Sequence, residues 1–169
     1  MRTKHPKAQE KGASNYRSPF FYLRSVTKKE KIYFFKEDIR FRINHAGALK
    51  KWIGSFFSSH KITIQSISYI FCSDKYLRRL NKKYLRHDYY TDVITFDNSV
   101  ERGRIEADIY ISIHRVSANA KKYKTTFDDE LRRVIIHGGL HLAGYEDKTE
   151  KQKTVIRKAE DFWLSQFEK

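Results

Sequence analysis

Hydrophobic residues change their spacing along the chain, and each change predicts an element. Ile32, Tyr33, Phe34 and Phe35 form a short apolar run of strand character. Leu49, Trp52, Ile53, Phe56 and Phe57 then recur at the helical period, which predicts an amphipathic helix with one face on a sheet. Ile62, Ile64, Ile67, Tyr69, Ile70 and Phe71 predict a second strand, and Ser73 and Asp74 are capping types ahead of Leu77, Leu80 and Tyr84, so a short helix follows. Asp92 to Phe96 and Ala107 to Ile113 are β-rich runs separated by a turn or loop containing Gly103. A helix is expected from His114 to near Tyr123. Thr126 with Asp129 then starts another in the manner of a capping box, with Leu131, Val134, Ile135 and Leu142 as its buried face. Val155, Ala159, Phe162 and Trp163 mark a last helix.

This order predicts an α+β (mixed α/β) fold: a mixed four-stranded sheet covered by about five helices, with the chemistry on a late helix and the loop after it. At 169 residues the chain is the size of one domain, assigned to residues 29–169. Residues 1–28 carry Pro6, Pro19, several Lys and Arg, and no sustained period, and are expected to be a basic flexible extension. An electrostatic arm, a chance upstream start, a transit-like leader and a neutral tail are the alternatives for it.

Charge narrows the partners. Thirty-five Lys and Arg against 20 Asp and Glu give a net charge of +15, which favours a polyanion: RNA, DNA or an anionic membrane. Nucleic acid is the preferred reading over a merely solvated basic surface. The single cysteine, Cys72, lies in an apolar run and reads as a core residue, so a closed thiolate metal site is excluded and a reducing cytoplasm fits. No stretch reaches the roughly 18 apolar residues a membrane span needs, nor the apolar core of a secretory signal. A soluble cytoplasmic protein, with no membrane partner, is expected.

The candidate chemistry sits in His137 to Asp147, H-G-G-L-H-L-A-G-Y-E-D. Residues i and i+4 of a helix share a face, so His137 and His141 can turn toward one ion. Gly144 is suited to end that helix in a left-handed conformation and bring Asp147 back as a third ligand. Three protein ligands with an open position describe a catalytic zinc site; a chance histidine pair is the alternative. A zinc peptidase requires glutamate after the first histidine, and that position is Gly138. Hydrolysis of a phosphodiester fits the charge better.

The run H-G-G-L-H-L-A-G-Y-E-D resembles the signature H-G-x-L-H-L-x-G-Y-D-H of the YbeY family, metal-dependent endoribonucleases of ribosomal RNA maturation and ribosome quality control. Leu80-Asn81, T-D-V-I-T-F from Thr91 to Phe96, and A-D-I from Ala107 to Ile109 match further family segments in order. The resemblance implies one zinc or other divalent ion on His137, His141 and Asp147, the last standing where the family usually has histidine. Glu146 stands where Asp is usual, as a solvated loop acid or a supporting group. The family places an arginine after the tyrosine matching Tyr84; this chain has Leu85 there and Arg86 one residue on. Arg86 either reaches the same phosphate from a shifted loop or is an ordinary surface arginine. Thr91, Asp92 and Asp108 match positions near the family's cleft, or else cap strand ends. Bases are expected to rest on aromatics such as Tyr89 and Tyr90, unless these are plain loop or core residues. His5, His45, His60, His87 and His114 have no ligand spacing and read as surface or structural, with His87 alone near the RNA loop. The function implied is a single-strand-specific endoribonuclease acting on ribosomal RNA at the ribosome; the alternative is a ribosome-associated RNA-binding protein with a structural metal.

Overall fold

The computed structural model describes residues 31–167. The expected extension, residues 1–28, and with it His5, lies outside the described residues. The element order is β1 (Ile32–Lys36), α1 (Ala46–Ser59), β2 (Thr63–Cys72), α2 (Asp74–Leu80), a π-helical turn (Asn81–Leu85), β3 (Val93–Asp97), β4 (Arg104–Ser112), α3 (Ile113–Tyr123), α4 (Phe127–Leu142) and α5 (Glu150–Ser165). The sheet runs β1-β2-β4-β3, with β1/β2 and β2/β4 parallel and β3/β4 antiparallel. That is the mixed four-stranded sheet the hydrophobic pattern predicts.

Alternation along the central strands divides the core in two. Ile67, Tyr69 and Phe71 of β2 and Ile105, Ala107, Ile109 and Ile111 of β4 face the larger core, which α1 and α4 complete with Ile53, Phe56, Phe57, Ile135, Ile136 and Leu140. Ile70, Cys72 and Tyr110 face the other way, onto Leu77 of α2 and Ile94 of β3. Cys72 is fully buried, as its apolar surroundings predict. All five apolar positions expected for α1 are buried.

Caps fix where the helices start. Ser73 Oγ accepts the Tyr76 N–H at 3.1 Å, and Thr126 Oγ1 accepts the Asp129 N–H at 3.1 Å while donating to Asp129 Oδ2 at 2.6 Å. The last helix differs from its periodic reading. Val155 and Phe162 are 49% and 57% exposed, and the buried positions are Ile156 and Glu160, with Ala159 and Trp163 packed at the edge of the core. A charged residue interrupts the inward stripe, so counting apolar residues picks a stripe rotated away from it. No helix among the described residues is long and apolar enough to cross a membrane.

Candidate metal centre

Helix α4 lies against the sheet because two consecutive glycines leave room for it. A Cβ on Gly138 would sit 3.0 Å from Ile109 Cγ2, and one on Gly139 would sit 3.1 Å from Phe56 Cε1. The glutamate of a peptidase motif at Gly138 would therefore have to enter the packed sheet. Past Leu142 the helix unwinds through Gly144 at φ 92°, and the Tyr145 N–H returns to the Leu140 carbonyl at 3.0 Å. This left-handed glycine turns the chain and presents Asp147 beside the helix, as the spacing predicts.

The two histidines are set by their outer nitrogens. His137 Nδ1–H donates to Glu160 Oε1 at 2.7 Å, and His141 Nδ1–H donates to the Tyr145 carbonyl at 3.0 Å. Each bond selects the tautomer that leaves Nε2 with a free lone pair, and the two Nε2 atoms lie 3.0 Å apart. Asp147 Oδ2 is 4.0 Å from each. One ligand atom from each residue falls within 4.8 Å of the others, so the group could hold a metal ion. Ligands at tetrahedral zinc are separated by about 3.3 Å, a value these distances bracket. Two imidazole lone pairs facing each other repel unless a proton or a cation lies between them, so the donor set suits a metal.

Charge around the pair is uneven. Burial pulls the His137 pKa down, but the Glu160 hydrogen bond and carboxylate charge outweigh it, and the net direction is upward. Burial and then the neighbouring His137 push His141 downward. Burial would raise Glu160, yet its hydrogen bonds to His137 and Arg133 hold it below the usual glutamate value. Glu160 is 5% exposed and accepts from Arg133 Nη1 at 2.9 Å and from Arg157 Nη1 at 3.4 Å. Sequence reasoning missed this residue. A signal existed: Glu160 falls between Ile156 and Trp163 on the inward face of α5, where an acid requires a compensating partner.

The group lies in a cleft of about 340 Å³ shared with Asn81, Leu85, His87, Tyr89 and residues 91–95. Arg86 follows the π-helical turn in a left-handed conformation, φ 58°, and is exposed; its neighbours Leu85 and His87 line the cleft and Arg86 does not. Thr91 lines the cleft and donates to the Val93 carbonyl at 3.2 Å, while Asp92 accepts from Asn119 Nδ2 at 3.1 Å. Asp108 is fully buried beside Asn98, outside the cleft lining. Glu146 is bound by Lys148 at 3.3 Å and Gln152 at 2.9 Å on the surface of the loop. His60 packs on Phe56, Tyr145 and Trp163, and His114 Nδ1 accepts the Asp74 N–H at 3.3 Å, both structural roles. His45 precedes α1 in a left-handed turn.

A mixed sheet backed by a helix with a half-buried histidine pair, and a loop carboxylate beside an open polar cleft, define a class: α+β proteins whose site could hold a metal. Comparison with known proteins makes the class specific. The family profile described as Endoribonuclease YbeY matches residues 32–168. Relatives named Endoribonuclease YbeY include one from Cytophaga hutchinsonii, 49% identical over 82% of this chain and 96% of its own length. Another, from Christiangramia forsetii, is 43% identical over 83% of this chain and 96% of its own length. The solution structure of TM1509 from Thermotoga maritima shares the fold, with a TM-score of 0.55 and 24% identity over 80% of this chain and 88% of that one. The chain belongs to the YbeY endoribonuclease family.

Proposed function

We propose that this protein is a metal-dependent endoribonuclease that cuts single-stranded segments of ribosomal RNA, acting in the cytoplasm on ribosomal RNA maturation and ribosome quality control. His137, His141 and Asp147 hold one divalent ion, with zinc the first candidate. The observation that carries the reading is the convergence of two tautomer-fixed Nε2 atoms and a carboxylate in one cleft. The net charge of +15 supports a polyanionic substrate, and the ribosomal target rests on the family resemblance.

When bound there, a divalent ion supplies positive charge for the phosphodiester oxygens and makes a water more acidic. The chain's own groups do the rest. Glu160 orients the His137 ring and balances charge beneath it, and the Tyr145 carbonyl orients His141. Asp147, exposed on its loop, closes the group from the solvent side. Arg86 contacts a backbone phosphate just outside the cleft, where an exposed guanidinium can bind two oxygens.

Purified protein assayed on single-stranded RNA with and without chelator, alongside metal analysis, tests the reading. Cleavage is expected to require metal, and Asp147→Ala is expected to lose it by at least about a hundredfold while the fold and RNA affinity remain. Full cleavage after metal removal would sink the metal-dependent reading, and RNA binding with no cleavage in either condition would leave an RNA-binding protein with a structural metal.

A further inference from the structure

His87 and Tyr89 stack with ring centroids 5.2 Å apart and planes 23° from parallel, and both line the cleft that contains His137, His141 and Asp147. Tyr89 remains 56% exposed. The pair is held in place from within. Asn81, 2% exposed, accepts the His87 N–H on its carbonyl at 3.3 Å and donates its Nδ2 to the Tyr89 carbonyl at 3.0 Å. One buried residue therefore contacts both ring-bearing residues, through its backbone carbonyl and its side-chain amide. The adjacent Tyr90 differs. Its ring is engaged by the guanidiniums of Arg78 at 4.9 Å and Arg115 at 4.5 Å, and it does not line the cleft.

The cleft is at the small end of ligand-pocket sizes, the scale of one nucleotide unit. Its polar floor suits a phosphodiester, and its aromatic side suits the flat face of a base, which a duplex keeps stacked on its neighbours and a single strand leaves free. Leu85 occupies the cleft edge without a charge to offer phosphate. We propose that the His87–Tyr89 pair is a base-stacking subsite that takes one unstacked nucleobase of single-stranded RNA beside the phosphodiester held at His137, His141 and Asp147. This rests on the RNA-cleaving reading above and adds to it the group that selects single strands. Binding at this point depends on ring area rather than on charge, so it persists at salt concentrations that weaken phosphate contacts.

The test uses the full-length protein and a short single-stranded RNA carrying 2-aminopurine, read on mixing before turnover. Stacking is expected to quench the probe, and Tyr89→Leu to weaken binding about tenfold and abolish the quench. Tyr89→Phe restores both, and Tyr90→Leu moves affinity less than about twofold. An abasic nucleotide at the quenched position is expected to cost the wild type about tenfold and Tyr89→Leu nothing further. Wild-type affinity in Tyr89→Leu, or equal abasic losses in both proteins, overturns the subsite. These readouts separate the two proposals. Quenched binding without metal-dependent cleavage refutes the nuclease reading alone, and metal-dependent cleavage with wild-type binding by Tyr89→Leu refutes the subsite alone.

Discussion

The two sides of the cleft are built by different means. On the α4 side a chain of hydrogen bonds holds the two histidines: Glu160 holds His137, Arg133 and Arg157 hold Glu160, and the Tyr145 carbonyl holds His141. Behind that layer Gly138 and Gly139 seat the helix on Ile109 and Phe56 at contact distance. On the loop side Leu85, His87 and Tyr89 are exposed, and the segment hangs from one buried residue, Asn81. A metal site needs ligand atoms placed to a few tenths of an ångström, which helix packing and paired hydrogen bonds provide for the two histidines. A site for variable RNA sequence needs adaptable faces, which an exposed loop supplies.

The comparison breaks first at Glu160. Glu160→Ala leaves Arg133 without its buried partner and His137 without its orienting bond. It is expected to cost about 3 kcal/mol in denaturant unfolding and to lower metal affinity by about 10- to 100-fold. Stability within about 0.5 kcal/mol of wild type would show that the α4 side is no more tightly specified than the loop. Asn81→Ala tests the other side at a smaller scale. It strips the side-chain donor from the Tyr89 carbonyl and keeps the backbone bond to His87, for about 1 kcal/mol, and faster amide exchange is expected in residues 81–91 with α4 protected as before. If α4 exchange accelerates equally, the two sides form one cooperative unit. The smallest effect belongs to Arg86→Ala. Stability should move by less than about 0.5 kcal/mol, while the salt dependence of RNA binding falls by about 0.7 in log–log slope, the share of one phosphate contact on a single strand. An unchanged slope would make Arg86 an ordinary surface residue.

What the sequence determined by itself was everything that depends on neighbours a few residues apart. Helical spacing put His137 and His141 on one face, Gly144 marked the turn that returns Asp147, Thr126 and Asp129 marked the start of α4, and alternation marked the strands of a mixed sheet. Each follows from local backbone geometry, which repeats at a fixed period and is legible in one dimension. Tertiary structure alone decided the contacts between elements. Glu160 reaches His137 from another helix, and nothing local distinguishes it from the other acids of α5 except its place on an apolar face. The inward stripe of α5 turned out rotated from Val155 and Phe162 because a carboxylate with hydrogen-bonded partners can occupy a core-facing position that a periodicity count treats as solvent. Within the loop, three neighbouring residues received different fates: Leu85 and His87 entered the cleft while Arg86 turned outward. A left-handed residue after a π-helical turn follows no simple period, and there the Asn81 hydrogen bonds to His87 and Tyr89 are contacts that no local spacing announces.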